Sequence, residues 1–175
     1  MTEITGAVPT GAPIAELRSI LGRFATGVTV LTGCDPTTGT PYGLAANAFA
    51  SVSLDPPLIA FCVARTSTSW PCIRKARTIC VNILAAHQRD VCAAFARSGG
   101  DKFARLSWSP SPVGRSPLLN NTTGWLECTV QDEREAGDHM MVLARVEELG
   151  AAPDAEEAVG PLVFYRGGFG TFQPG

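Results

Sequence analysis

Charge of one sign is what this chain conspicuously lacks. Fourteen Lys and Arg stand against 16 Asp and Glu in 175 residues, a net charge of −2. A nucleic-acid footprint needs a basic face, and the nearest approach, Arg74-Lys75-Ala76-Arg77, is too short to neutralise many phosphates. No nucleic-acid partner is expected. Long apolar runs are missing too: residues 58–64 and 79–86 are strand-sized, far below the ~20 residues of a membrane span. Residues 1–13 show no charged start followed by an apolar block, so they read as a flexible tail without an export signal. A cytoplasmic chain with no membrane partner is expected, with one domain over residues 14–175.

Cysteine is present but without partners. Cys34, Cys62, Cys72, Cys80, Cys92 and Cys128 form no C-x-x-C pair and have no histidine at metal spacing. Several lie inside apolar runs and read as free, buried thiols; no metal is expected. With 45% apolar residues the chain can bury one sizeable core.

Periodicity supplies the elements. Residues 14–24 put Ile14, Leu17, Leu21 and Phe24 on one helical face. Residues 27–33 alternate as a strand, 35–39 carry turn chemistry, and 42–49 form a second strand. Residues 51–57 read as a loop closed by two prolines, and 58–64 as a buried strand. A short helix over 70–76, a strand over 78–84 and a helix over 88–97 follow. The Ser, Pro and Gly of residues 98–121 predict a long irregular connection. Strands at 125–131 and 140–149, joined by a charged hairpin, precede a last one at 161–165.

Six or seven strands with short helices predict a mainly β protein, a closed antiparallel barrel rather than alternating β-α units. The dinucleotide fingerprint G-x-G-x-x-G between a strand and a helix is also missing. Its one near match, Gly168-Phe169-Gly170, lies too close to residue 175 for a helix to follow. Any nucleotide must be held in another way.

Two segments offer one. In Ala45-Ala46-Asn47-Ala48, small side chains let a planar ligand approach the backbone, and Asn47, Ser51 and Ser53 supply donors and acceptors. A tight barrel corner would look the same. In Cys62-Val63-Ala64-Arg65-Thr66-Ser67-Thr68-Ser69, hydroxyls and a guanidinium precede a helix start, as at a phosphate site. A plain serine N-cap is the competing account. Adjacent antiparallel strands would bring the two segments to one end of the sheet, at a mononucleotide's span.

The run Ala46-Asn47-Ala48-Phe49-x-Ser51-Val52-Ser53-x-Asp55-Pro56-Pro57-Leu58, then Cys62-Val63 and Val81-Asn82-Ile83-Leu84, resembles the flavin reductase-like family. Asp101-Lys102-Phe103, Gly137-Asp138-His139 and Phe164-Tyr165-Arg166-Gly167-Gly168-Phe169 agree with it in order, over residues 14–172. The resemblance implies the flavin-binding split-barrel fold of the FMN-binding type, and a homodimer with flavin near the subunit interface. It implies an NAD(P)H:flavin oxidoreductase that supplies reduced FAD or FMN to a partner monooxygenase. By it, residues 46–48 touch the isoalloxazine, Ser51, Ser67 and Ser69 the ribityl or phosphate, and Lys102 and Phe103 the flavin tail. Asp138 and His139 face the nicotinamide nucleotide, and Tyr165 and Phe169 complete the flavin site. Ala45 stands where relatives often carry Thr.

His139 is the one catalytic candidate, as a positioning group; a strand-start histidine with a satisfied ring nitrogen is the plainer account. His87, near a helix start, has no supporting pattern. Hydride transfer needs aligned rings more than acid–base groups, so a site poor in His, Asp and Glu suits it. NADH is favoured over NADPH by the lack of an extra Arg cluster. Two rivals stay open: a split-barrel oxidase with retained FMN, and a non-catalytic flavin-binding protein.

Overall fold

The computed structural model describes residues 13–151 and 160–172, which are mainly β with three short helices. Helix α1 (Ile14–Leu21) and the two-residue strand β1 (Thr26–Gly27) lead into a hairpin of β2 (Thr29–Cys34) and β3 (Pro41–Ala46). Its turn is set by Asp35, whose Oδ1 accepts the amides of Thr37 and Thr38, each at 2.9 Å. A second hairpin pairs β4 (Phe49–Leu54) with β5 (Pro57–Ala64). Helix α2 (Trp70–Ile73), strand β6 (Ile79–Ile83) and helix α3 (Arg89–Ala96) follow. Then come the short pair β7 (Trp108–Pro110) and β8 (Pro117–Leu119), and the long hairpin β9 (Gly124–Ala136) and β10 (His139–Ala151). Strands β11 (Leu162–Tyr165) and β12 (Gly168–Thr171) close the described chain.

Seven strands form one antiparallel sheet in the order β3-β2-β6-β9-β10-β5-β4. Its edges, β3 and β4, are separated in sequence only by Asn47 and Ala48. Consecutive strands at opposite ends of a sheet require the sheet to curl until its edges meet. Six antiparallel steps separate β3 from β4, so both run in the same direction. The chain therefore passes on from one edge into the other instead of folding back beside it. The ladder that would close the ring as a hydrogen-bonded barrel is thus not among the described pairings. What ties the corner is the Cys62 amide, which donates to Ala48 O at 3.0 Å.

The inner side chains of the curled sheet meet in one core. Leu31, Leu44, Ile59, Phe61, Val63, Val81 and Val142 pack with Trp70 and Ile73 of α2, and the Phe61 and Trp70 rings meet edge to face at 5.6 Å. A second cluster lies on the opposite face of β2, where Val30 joins Leu84, Cys92, Phe95, Phe103, Leu119 and Leu162. Strand β2 is buried on both faces, and its two threonines answer this by hydrogen bonding, Thr29 Oγ1 to Ala46 O and Thr32 Oγ1 to Pro117 O. Each fully buried large apolar side chain contributes roughly 1.5–3 kcal/mol.

Two buried polar residues hold β7 and β8 in place. Asn82 donates to Val30 O at 3.1 Å and accepts the Leu119 amide at 2.8 Å, so a residue of the family-like run serves the scaffold. Glu127, fully buried, accepts hydrogen bonds from Thr78 and Ser111 and from the amides of Val113 and Gly114.

Several local expectations change. Residues 51–54, expected as loop, belong to β4, where Ser51, Ser53 and Leu54 pair with Ile59, Leu58 and Pro57 of β5. The connection at 98–121 contains the β7–β8 pair. The charged hairpin shortens to Gly137-Asp138, with Gly137 at φ 64, and the charges expected in the turn lie along the strands. The apolar face of α1 covers nothing in the described chain: Ile14, Leu17 and Leu21 are exposed, and Phe24 just beyond is 78% exposed. The near match to the dinucleotide fingerprint is strand β12.

Candidate functional site

A cavity of about 300 Å³ opens where β3 passes into β4, beside the end of β5 and the segment leading to α2. The structure gathers Ala45, Ala46, Asn47, Ala48, Cys62, Val63, Ala64, Ser67, Ser69, Lys102 and His139 around it. The two sequence segments meet because Ala48 and Cys62 are joined directly across the corner. Thr66 and Thr68 line it as well, as do Phe95, Ala96, Arg97 and Ser98 from the end of α3. Those α3 residues carried no motif; only the docking of α3 beneath β3 could place them.

The lining combines the alanines and Val63 with the hydroxyls of residues 66–69 and Ser98, with no carboxylate among the lining residues and cations at Lys102 and Arg97. Such a wall suits a flat ring carrying an anionic tail. Lys102 Nζ donates to Gly43 O at 3.0 Å, Ser69 Oγ at 3.2 Å and Phe95 O at 3.3 Å. Burial holds its pKa below the ordinary lysine range. Ser67 Oγ accepts the Trp70 amide at 3.2 Å while it also lines the cavity, and Ser69, the residue at the N-cap position of α2, makes no side-chain capping bond. Helix α2 is only four residues long, too short for its dipole to make the phosphate site expected there.

His139 begins β10 opposite Ala64 and reaches the cavity from the β9–β10 turn. Its Nδ1 lies 2.7 Å from Asp138 Oδ1, and that bond holds the Asp138 carboxyl below its ordinary range. Asp138 itself is exposed, off the cavity wall.

The remaining candidates lie elsewhere. Arg65 turns outward to Gly137 O at 3.4 Å and Glu135 at 3.5 Å, because the adjacent hairpin offers it a carboxylate. Ser51 and Ser53 sit on edge strand β4 outside the cavity. Phe103 lines a second cleft, of about 590 Å³, which shares Thr68, Ser69 and Lys102 with the first. Phe169 lines a small apolar hollow behind Ala45–Asn47 with Phe164, whereas the half-exposed Tyr165 lines none of these.

The chain is thus a mainly β protein whose antiparallel sheet carries no dinucleotide turn and whose edge strands meet at a cavity lined by alanines, hydroxyls and the half-buried Lys102. Residues 21–173 match the flavin reductase like domain, and the chain belongs to that family. It is an NAD(P)H-dependent flavin reductase. It is 39% identical to the reductase subunit of a flavin-dependent monooxygenase from Rhodococcus jostii, over 99% of this chain and 87% of that one. Among solved structures, a nitrilotriacetate monooxygenase component B homologue from Mycobacterium thermoresistibile superposes with a TM-score of 0.85 at 40% identity, covering 92% of this chain and 87% of that one. An NADH:FAD oxidoreductase from Streptomyces globisporus, solved with NAD and FAD fragments, gives 0.83 at 32% identity, covering 92% and 93%.

Proposed function

We propose that this reductase takes flavin as a substrate, reduces it with NADH, and releases it to a separate monooxygenase component. The observation that carries the reading is the composition of the cavity wall: small residues, hydroxyls, two cations and His139, with no carboxylate. With both substrates bound, nicotinamide C4 supplies the hydride and flavin N5 receives it. Ala45, Ala46 and Ala48 keep the wall low enough for ring against backbone, and Asn47 offers donors and an acceptor to the ring edge. Ser67, Ser69 and Lys102 hold the phosphate end. His139, braced by Asp138, orients the nicotinamide nucleotide from the far side of the cavity. These residues position and exclude water; none has to move a proton.

A homodimer fits the exposed apolar residues of α1, which a second subunit would cover. It would also bring Ser51, Ser53 and Tyr165, exposed or half-exposed in the single chain, toward a flavin, and would complete the split barrel around residues 14–175. The comparison proteins include monooxygenase reductase components, in line with the proposed partner. NADH is preferred over NADPH, since no Arg cluster awaits a 2′-phosphate. Among the described residues no helix is long and apolar enough to cross a membrane.

The test is to mix the purified chain with NADH or NADPH and varied FMN or FAD. NADH oxidation that saturates with added flavin supports release of reduced flavin. Turnover independent of added flavin means a retained FMN, and binding without turnover means a flavin carrier.

A further inference from the structure

The larger cleft shares a wall with the cavity proposed above for the isoalloxazine ring. Thr68, Ser69 and Lys102 face both spaces. At about 590 Å³ it falls within the 300–1,000 Å³ typical of small-molecule sites. Tyr42 and the buried Phe103 give it aromatic surface. Gly99 and Gly100, at φ 75 and 73, give it a rim free of side chains, where a Cβ would meet nothing within 4 Å.

Lys102 stands at the junction with an unanswered charge. Its three partners are two carbonyls and one hydroxyl, and among the described residues it has no ion pair with a carboxylate. Asp101, beside it, instead accepts the Phe103 amide at 2.9 Å. A half-buried ammonium with only neutral partners favours an anion, and it lies where a ligand passing from one space to the other must cross.

We propose that the flavin this chain selects is FAD, its adenosine half seated in the Tyr42–Phe103 cleft and its pyrophosphate crossing at Lys102 and Ser69. The proposal rests on the flavin reductase reading above. FMN would leave the cleft unused, because its single phosphate ends at the shared wall. The adenosine of NADH is the rival occupant. His139, the proposed nicotinamide contact, lines the inner cavity alone, so the flavin is the ligand with a continuous path into the cleft.

Ala104 and Thr40 are exposed on opposite parts of the cleft, so Ala104→Trp and Thr40→Trp would fill it without disturbing the core. Equilibrium dialysis of FMN and FAD without NADH measures binding apart from turnover. The unmodified chain should bind FAD about tenfold more tightly than FMN, and either variant should reduce that ratio to about twofold or less. Equal affinities in the unmodified chain, or equal weakening of both flavins in both variants, overturn the proposal. So does a variant that raises the NADH KM while keeping the flavin ratio, since the cleft would then serve the hydride donor. If neither flavin binds nor supports NADH oxidation, the reductase reading itself falls, and the absence of FMN turnover marks that failure.

Discussion

The ring of Phe95 lies so close over Gly43 that a Cβ on the glycine would sit 2.3 Å from Phe95 Cε1. The ring has little room to yield, being fully buried and packed edge to face on Phe103 at 5.1 Å. Gly43→Ala therefore must displace α3, whose last turn and following residues line the cavity. A loss of about 1–3 kcal/mol is expected in chemical denaturation, together with a raised flavin KM. An unchanged melt would show that α3 is not seated as described.

Glu127 predicts an acid-side stability change. Burial pushes its pKa up, but the hydrogen bonds from Ser111 and Thr78 and from the Val113 and Gly114 amides outweigh this, and the net shift is downward from 4.5. A carboxyl whose folded pKa lies below its unfolded value stabilises fully above the unfolded pKa. That contribution fades as pH falls through the folded one. Glu127→Gln should cost about 2–3 kcal/mol at neutral pH and flatten the stability profile below pH 4.5, read from denaturation midpoints across pH.

His139→Ala should raise the NADH KM roughly tenfold, the worth of a lost charge-assisted contact, and move the flavin KM by less than about twofold. Steady-state kinetics with each substrate varied in turn will tell. If both constants stay put, His139 merely starts a strand.

Cys62 lines the inner cavity, whereas burial pushes the Cys80 thiol well up and the Cys128 thiol to about 12. Peptide mapping after brief alkylation should find Cys62 labelled and Cys80 and Cys128 spared. Added flavin should slow labelling at Cys62 but not at Cys34. Equal protection at both would place the flavin elsewhere.

Leu17→Glu tests the exposed face of α1. If a second subunit covers that face, as proposed, the variant should elute as a monomer in size-exclusion chromatography where the unmodified chain elutes as a dimer. An identical elution volume for both would remove α1 from the interface.

Much of the scaffold was legible from residue order. Alternation marked β2 and β9, apolar strand-sized runs marked β5 and β6, and Asp35 with Gly39 marked the turn between β2 and β3, because side-chain period and turn chemistry act over a few residues. Strand β4 was not legible beyond Phe49, since its pairing with β5 alongside, and not the two serines or the prolines that follow, decides its conformation. The Gly137-Asp138 turn was readable as a hairpin but not in length, because charged residues sit as well on an exposed long strand as in a loop.

The sequence by itself determined a mainly β chain without a dinucleotide turn, and a small-residue corner followed one strand later by a hydroxyl cluster. These follow from local stereochemistry. Only the tertiary structure decided that β3 runs on into β4, that Arg65 spends its charge on Glu135, and that Lys102 stands between two cavities. Each depends on residues far apart in the chain, brought together when the sheet curls around its core.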